Sequence, residues 1–132
     1  MEAPAPADSL ESIHALIQRF WSSGLEVDGA SRMRFETAVA EIAANIVEHG
    51  GSDHEARWLR LTLRAFRDRV EALFQDDGSG VDVAGLDAAL PGEWATRGRG
   101  VALVRSMVDE FAYARSNGIN HWLIVKRLRP PT

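Results

Sequence analysis

Apolar side chains recur along the chain with two different periods, and the change between them divides it into elements. In Leu10–Trp21, Leu10, Ile13, Ile17 and Phe20 fall near one face, which predicts an amphipathic helix. Asp8 or Ser9 can cap its start, and Gly24 fits a helix stop. From about Arg32 to His49 the helical period returns. At about 100° per residue, Phe35, Ala38, Val39, Ile42, Ala43 and Ile46 share a face. Asp28 or Ser31 is the cap, and Gly50-Gly51 the end. The period then drops to two. In Arg57–Phe66, Leu59, Leu61, Leu63 and Ala65 alternate with Trp58, Arg60, Thr62, Arg64 and Phe66, which predicts a strand. A turn at Arg67-Asp68 leads to a second strand, Val70–Gln75, and the pair reads as an antiparallel hairpin.

The remainder is more broken. Asp76–Pro91 is rich in Gly, Asp and Ala and reads as loop, as does Gly92–Gly100. Val101–Val108 opens a helix directly after Gly100. Phe111–Arg115 and Ile119–Leu128 are predicted strands around a turn at Ser116-Asn117-Gly118. Met1–Asp8, rich in Pro and Ala, is expected to be a loose tail or a weak edge segment. With no internal repeat, the element order predicts an α+β sandwich, a mostly antiparallel sheet covered on one face by helices.

Composition narrows the class. The chain has 132 residues, enough for one domain, and 45% of them are hydrophobic. Net charge is −4 and no basic patch dominates, which argues against direct nucleic-acid binding. Cysteine is absent, so disulfides, thiolate metal sites and Cys nucleophiles are excluded. No apolar run approaches the roughly 18 residues a membrane span needs, and the N-terminus carries no signal-peptide pattern. A soluble, cytoplasmic protein without a membrane partner is the expectation.

Three groups of residues carry candidate chemistry. Glu41 and Asn45 lie one turn apart at the rim of the apolar helix face. An interior Asn is a poor helix former, since its side chain competes for backbone hydrogen bonds. Glu can orient or deprotonate a hydroxyl, and the Asn oxygen suits Mg²⁺, which needs few protein ligands. The bland alternative is a solvated Glu and a tolerated rim Asn, with His49 a helix-end cation. Second, Asp76-Asp77-Gly78-Ser79-Gly80 ends an apolar strand. Asp76 can accept a hydrogen bond from an exocyclic amine such as that of adenine, while the glycines allow close backbone approach. Alone, this is also an ordinary Asp/Gly turn. Third, Arg97-Gly98-Arg99-Gly100 precedes a helix, where free N–H groups and added positive charge suit an anion. A flexible linker reads the same way.

Taken in order, Glu41 through Asn45 to His49-Gly50, then Asp76–Gly80, then Gly98–Val104, resemble the three nucleotide-binding boxes of the GHKL ATPases, the superfamily of gyrase, histidine kinases and MutL. Within it the chain is most similar to the stand-alone anti-sigma factor serine/threonine kinases of bacterial partner-switching systems. The resemblance spans roughly Leu10 to Leu128 and implies the Bergerat fold: a two-layer α+β sandwich, a mostly antiparallel mixed sheet of four to five strands under about three helices. It implies a histidine-kinase-like ATPase domain over 9–132; the N-terminal strand usual in that branch is weak here, and the composition of residues 1–8 predicts a flexible tail.

By the same resemblance, Glu41 is the catalytic base and Asn45 the Mg²⁺ ligand. Asp76 reads adenine, Gly78 and Gly80 make room for the base, and Asp82–Arg97 is the ATP lid. Gly98 and Gly100 contact phosphate, and Arg97 and Arg99, from the anion-site reading above, add positive charge there. Leu103 and Val104 are expected in the core. Gly118-Ile119-Asn120 stands where many relatives carry a Gly-Thr pair. The implied cofactors are ATP and Mg²⁺. The implied partners are a sigma factor, held inactive, and a STAS-domain anti-anti-sigma factor, phosphorylated on Ser or Thr; a homodimer is expected. The competing expectation is a module that holds ATP and sequesters a partner without phosphoryl transfer. Trp94 falls in the implied lid. Trp21, Trp58 and Trp122 suit either an interface or, for the two strand residues, the core.

Overall fold

Two sequence periods become two layers. The computed structural model describes residues 2–6, 10–24, 26–48, 58–78 and 102–128. In chain order they form β1 (Glu2–Pro6), α1 (Leu10–Trp21), α2 (Gly29–Glu48), β2 (Trp58–Ala65), β3 (Arg69–Asp76), β4 (Glu110–Ser116) and β5 (Ile119–Arg127), with a further helical turn over 102–107. The strands make one five-stranded sheet in the order β1-β2-β3-β5-β4, and every neighbouring pair is antiparallel. The helices lie on one face, giving the expected α+β two-layer sandwich.

The ends of the elements have local causes. Asp28 caps α2: its Oδ2 accepts from the Ser31 N–H at 3.0 Å, satisfying one of the otherwise unpaired first-turn donors. Gly24 follows α1 with a φ of +95°, a conformation that favours glycine. The β4–β5 hairpin turns through Asn117 (φ +53°) and Gly118 (φ +76°). Two successive left-handed residues are the turn that matches strand twist, and Asn-Gly is the pair that tolerates it.

The core forms where the two apolar stripes meet. Ile13, Leu16, Ile17, Phe20 and Trp21 of α1 and all six predicted face residues of α2 are buried. They meet Leu59, Leu61, Leu63, Val70, Ala72, Phe74, Trp122 and Ile124 from the sheet. Phe35 packs against Trp21 with ring centroids 5.8 Å apart.

Three expectations are decided or changed. Of the tail and the weak edge segment expected at the N-terminus, residues 2–6 form the second: they pair antiparallel with Thr62–Trp58 as the edge strand β1. Proline is acceptable at an edge because one row of N–H groups there has no partner to lose. Leu103 is 36% exposed while Val104 is fully buried, since adjacent residues of a short helical turn point in different directions. Trp58 is 37% exposed, because the alternation that buries Leu59, Leu61 and Leu63 puts its own side chain on the opposite face. Trp21 and Trp122 are buried and offer no interface. Among the described residues, no helix is long and apolar enough to cross a membrane.

The order β3-β5-β4 brings the second half of the chain to the end of β3. The chain leaves β3 at Asp76 and reaches the outer edge of the sheet as β4. It then turns back so that β5 lies between β4 and β3. Register puts Asn120 opposite Asp76 and Trp122 opposite Phe74, while Tyr113 faces Trp122 and Arg115 faces Asn120 across β4.

Candidate functional site

Asp76 is the last residue of β3. Because it lies on the inward parity of that strand, it is only 2% exposed. A carboxylate so placed must be hydrogen-bonded to be tolerated, and three donors meet it. Its Oδ1 accepts from the Gly78 N–H at 2.9 Å and from Asn120 Nδ2 at 2.9 Å. Its Oδ2 accepts from Trp122 Nε1 at 2.9 Å.

Asn120 is 1% exposed and is the centre of a second tier. Its Nδ2 also donates to Gly78 O at 3.2 Å, and its Oδ1 accepts from Tyr113 OH and from Arg115 Nη1, the latter at 2.8 Å. An amide offers two donors and two acceptor lone pairs, and all four are used. The orientation follows: reversing the amide would point its NH₂ at a guanidinium and its oxygen at a carboxylate. Arg115 Nη1 bonds Gly78 O as well, at 2.8 Å, so the hairpin grips the backbone just after Asp76. Trp122 stands between Tyr113 and Phe111, with centroid distances of 4.6 and 6.3 Å. Asp77 ties the same corner to β2, its Oδ1 accepting from Trp58 N at 3.2 Å.

On α2, Glu41 is half-buried and Asn45 is 6% exposed. Asn45 Nδ2 is buried with no hydrogen-bond partner among the described residues. An orphaned buried amide costs about 1–3 kcal/mol in a mutational comparison. Among the described residues, then, Asn45 Nδ2 lacks a hydrogen-bond partner, whereas the Asp76 carboxylate is held by donors from its own chain. α2 packs against β5, the strand that carries Asn120 and Trp122. Among the described residues no cluster of three or more His, Cys, Asp or Glu forms a cage for a metal. An open cleft of about 350 Å³ lined by Ile13, His14, Ile17, Thr37 and Ala40 contains neither Asn45 nor Asp76.

Four of the expected site residues are therefore described: Glu41, Asn45, Asp76 and Gly78. Gly80, Arg97, Gly98, Arg99 and Gly100, with the lid at Asp82–Arg97, Trp94 and His49-Gly50, lie outside the described residues. Sequence reasoning missed Tyr113, Arg115 and Trp122 as members of this site, and placed Asn120 only as part of the segment that stands where many relatives carry a Gly-Thr pair. One signal was available. Asn120 sits on the parity of Trp122 and Ile124, the inward side of β5, where a polar residue needs an explanation.

The model of the histidine kinase-like ATPase domain matches residues 3–126. This chain belongs to that family. The match covers both α2 and the Asp76 corner. Solved structures agree on the fold. The RsbU and RsbW domains of Rv1364c from Mycobacterium tuberculosis align over 98% of this chain and 33% of that one, at 20% identity and a TM-score of 0.62. The histidine kinase domain of the blue-light activated histidine kinase from Erythrobacter litoralis EL346 aligns over 93% and 61%, at 20% identity and 0.59. The catalytic domain of histidine kinase ThkA (TM1359) aligns over 99% of both chains, at 10% identity and 0.57. The chain thus spans about a third of the first of these and under two thirds of the second. No curated protein matches it in sequence.

ATP is the nucleotide that membership of this domain family implies. The described residues fit it at two points. Asn45 Nδ2 has no hydrogen-bond partner among the described residues, and Asp76, with three bonds counted against about four lone-pair sites, keeps one acceptor position on Oδ2.

Proposed function

We propose that the chain is an anti-sigma factor with ATP-dependent serine/threonine kinase activity, which holds a sigma factor and phosphorylates a STAS-domain antagonist of that complex. The observation that carries the nucleotide part is the buried Asp76 corner, a carboxylate held ready by three donors in a chain of the ATPase family. The partner-switching part is supported by the fold likeness to a chain that includes an RsbW domain and by the box pattern of the sequence.

Each residue has a part in this reading. Asp76 accepts the amino group of the base. Asn45 supplies an oxygen to Mg²⁺, with water completing a coordination that asks little of the protein. Gly98, Gly100, Arg97 and Arg99 hold phosphate oxygens. Glu41, one turn from Asn45, takes the proton of the attacking seryl or threonyl hydroxyl. ATP, when bound, supplies the γ-phosphoryl group. The protein contributes position and charge, which carry most of the acceleration in such transfers.

A second reading has one observation in its favour. The Asp76 corner is built from the chain's own donors and suits base binding whether or not a phosphoryl group is transferred. A module that binds ATP as a regulatory ligand and transfers nothing would be built the same way. Incubation with γ-labelled Mg·ATP and a STAS-domain substrate separates the two. Label on the substrate, lost in Glu41→Ala while ATP binding persists, supports the kinase. Wild-type transfer by Glu41→Ala removes Glu41 from the base role, and bound ATP with no transfer selects the module.

A further inference from the structure

We infer that Asn120 determines which base the site accepts, by filling Asp76 Oδ1 while Trp122 leaves one acceptor position open on Oδ2. The inference rests on the reading that Asp76 meets the base. It gives a role to Asn120, which ends the segment standing where many relatives carry a Gly-Thr pair, and to Trp122.

An ionised carboxylate offers about four lone-pair positions, two on each oxygen. Oδ1 spends both, on Gly78 N and Asn120 Nδ2. Oδ2 spends one, on Trp122 Nε1. One position is left, on Oδ2 alone. Adenine presents a single exocyclic amine and needs one acceptor. Guanine presents N1–H and its 2-amino group side by side and pairs with a carboxylate through both oxygens. A carboxylate with Oδ1 filled can serve the first base and not the second. Leaving a base donor unpaired in a buried site is heavily penalised, which is how hydrogen-bonding sites discriminate.

Neither blocking donor is free to withdraw. Asn120 is held by Tyr113 and Arg115 through its oxygen, and releasing Asp76 would break a four-bond side chain. Trp122 is 3% exposed and wedged between Tyr113 and Phe111. A core aromatic of ordinary kind would fill this volume without an N–H. The indole fills it and also consumes an acceptor.

The test compares ATP and GTP binding to the full chain by calorimetry, for the wild type, Trp122→Phe and Asn120→Val, with far-UV circular dichroism to verify folding. The wild type should prefer ATP. Asn120→Val frees a position on Oδ1, so it should move the GTP/ATP affinity ratio toward GTP, by about tenfold for one charge-assisted bond, whereas Trp122→Phe frees one on Oδ2 alone, leaves Oδ1 filled and should keep the wild-type ratio. Loss of packing alone would weaken both nucleotides by the same factor, so an unchanged ratio in folded Asn120→Val, or an equal shift in folded Trp122→Phe, overturns the inference. A measurement on the wild type stands beside this one. The Trp122 indole proton should stay hydrogen-bonded in ¹⁵N-resolved spectra when ATP is added; its release to solvent would mean the base displaces the indole, and overturns the rationing. If the wild type binds neither nucleotide, the ATP-site reading itself falls and this inference with it. That outcome differs from binding with an unaltered ratio.

Discussion

The indole Nε1–H of Trp122 donates to Asp76 Oδ2 at 2.9 Å, joining the middle of the last strand to the end of the third. The two residues are 46 positions apart in sequence, and both are almost fully buried. A charge-assisted bond in such a place stabilises the sheet end, and it also turns Asp76 into a residue whose loss is felt twice.

Asp76→Asn exchanges a carboxylate that accepts three bonds for an amide that must donate on one side. Either Trp122 Nε1 or the Gly78 and Asn120 donors then face an NH₂ group. Destabilisation of about 2–4 kcal/mol is expected from unpaired buried donors. Denaturant unfolding measures it, and the thermal shift with Mg·ATP should disappear in the same variant.

Asn45→Leu should behave in the opposite way. The Nδ2 of Asn45 has no partner among the described residues, and Asn is a weak helix former in the interior of α2. Replacing it with an apolar side chain removes an uncompensated amide, so the ligand-free protein should be as stable as the wild type or more so, by up to about 1 kcal/mol. Stabilisation by Mg·ATP, worth ~2.7 kcal/mol at a ligand concentration of 100 times Kd, should be lost. A large drop in ligand-free stability would mean that Asn45 has a structural partner after all.

Asp109 gives the fold a dependence on pH. Its Oδ2 accepts from Arg127 N at 2.6 Å and from Lys126 Nζ at 3.2 Å, fastening the start of β4 to the end of β5. Partial desolvation acts to raise its pKa, but the Arg127 N–H, the Lys126 hydrogen bond and the positive charges of both residues outweigh it, and the net value lies below the usual 3.8. A carboxyl with a lowered folded-state pKa contributes stability that is complete above its unfolded value. That contribution falls away as pH drops through the folded value. The stability difference between wild type and Asp109→Asn should therefore be constant near neutrality and shrink below about pH 4. It should also be small, because the carboxylate is about a third exposed and screened. Urea unfolding across pH 3–7 reads it directly.

Gly118→Ala tests the hairpin that delivers the Asp76 partners. Gly118 has φ of +76° and open space where a Cβ would go, so the cost is backbone strain alone, about 1 kcal/mol. Gly118→Asn should cost less, since Asn tolerates this conformation. Equal losses for the two variants would show that the left-handed backbone conformation is not the source of the cost.

Element types and most of their boundaries were legible because they depend on neighbours in sequence. The apolar face from Phe35 to Ile46 is buried as its spacing requires. The alternation in β2 and the Asn117-Gly118 turn likewise declare themselves within a few residues. Residues 2–6 did not, because their strand exists only by pairing with β2; proline and alanine carry little strand preference of their own. Trp58 was ambiguous for a related reason. Alternation assigns a residue to one of two faces, but only the packed sheet decides which face is covered.

The candidate site divides the same way. Glu41 and Asn45 form a pair on helical spacing alone, and Asp76 and Gly78 form one on a short turn, so both stood out in the chain. The partners of Asp76 come from 44 and 46 residues away. They reach it because β5 is inserted between β4 and β3 and because the register sets Asn120 opposite Asp76. Periodicity reports local geometry, whereas strand order is chosen by the burial of the whole core. Which donors would fill a buried carboxylate, and how many acceptor positions they would leave, was therefore settled only by the folded sheet.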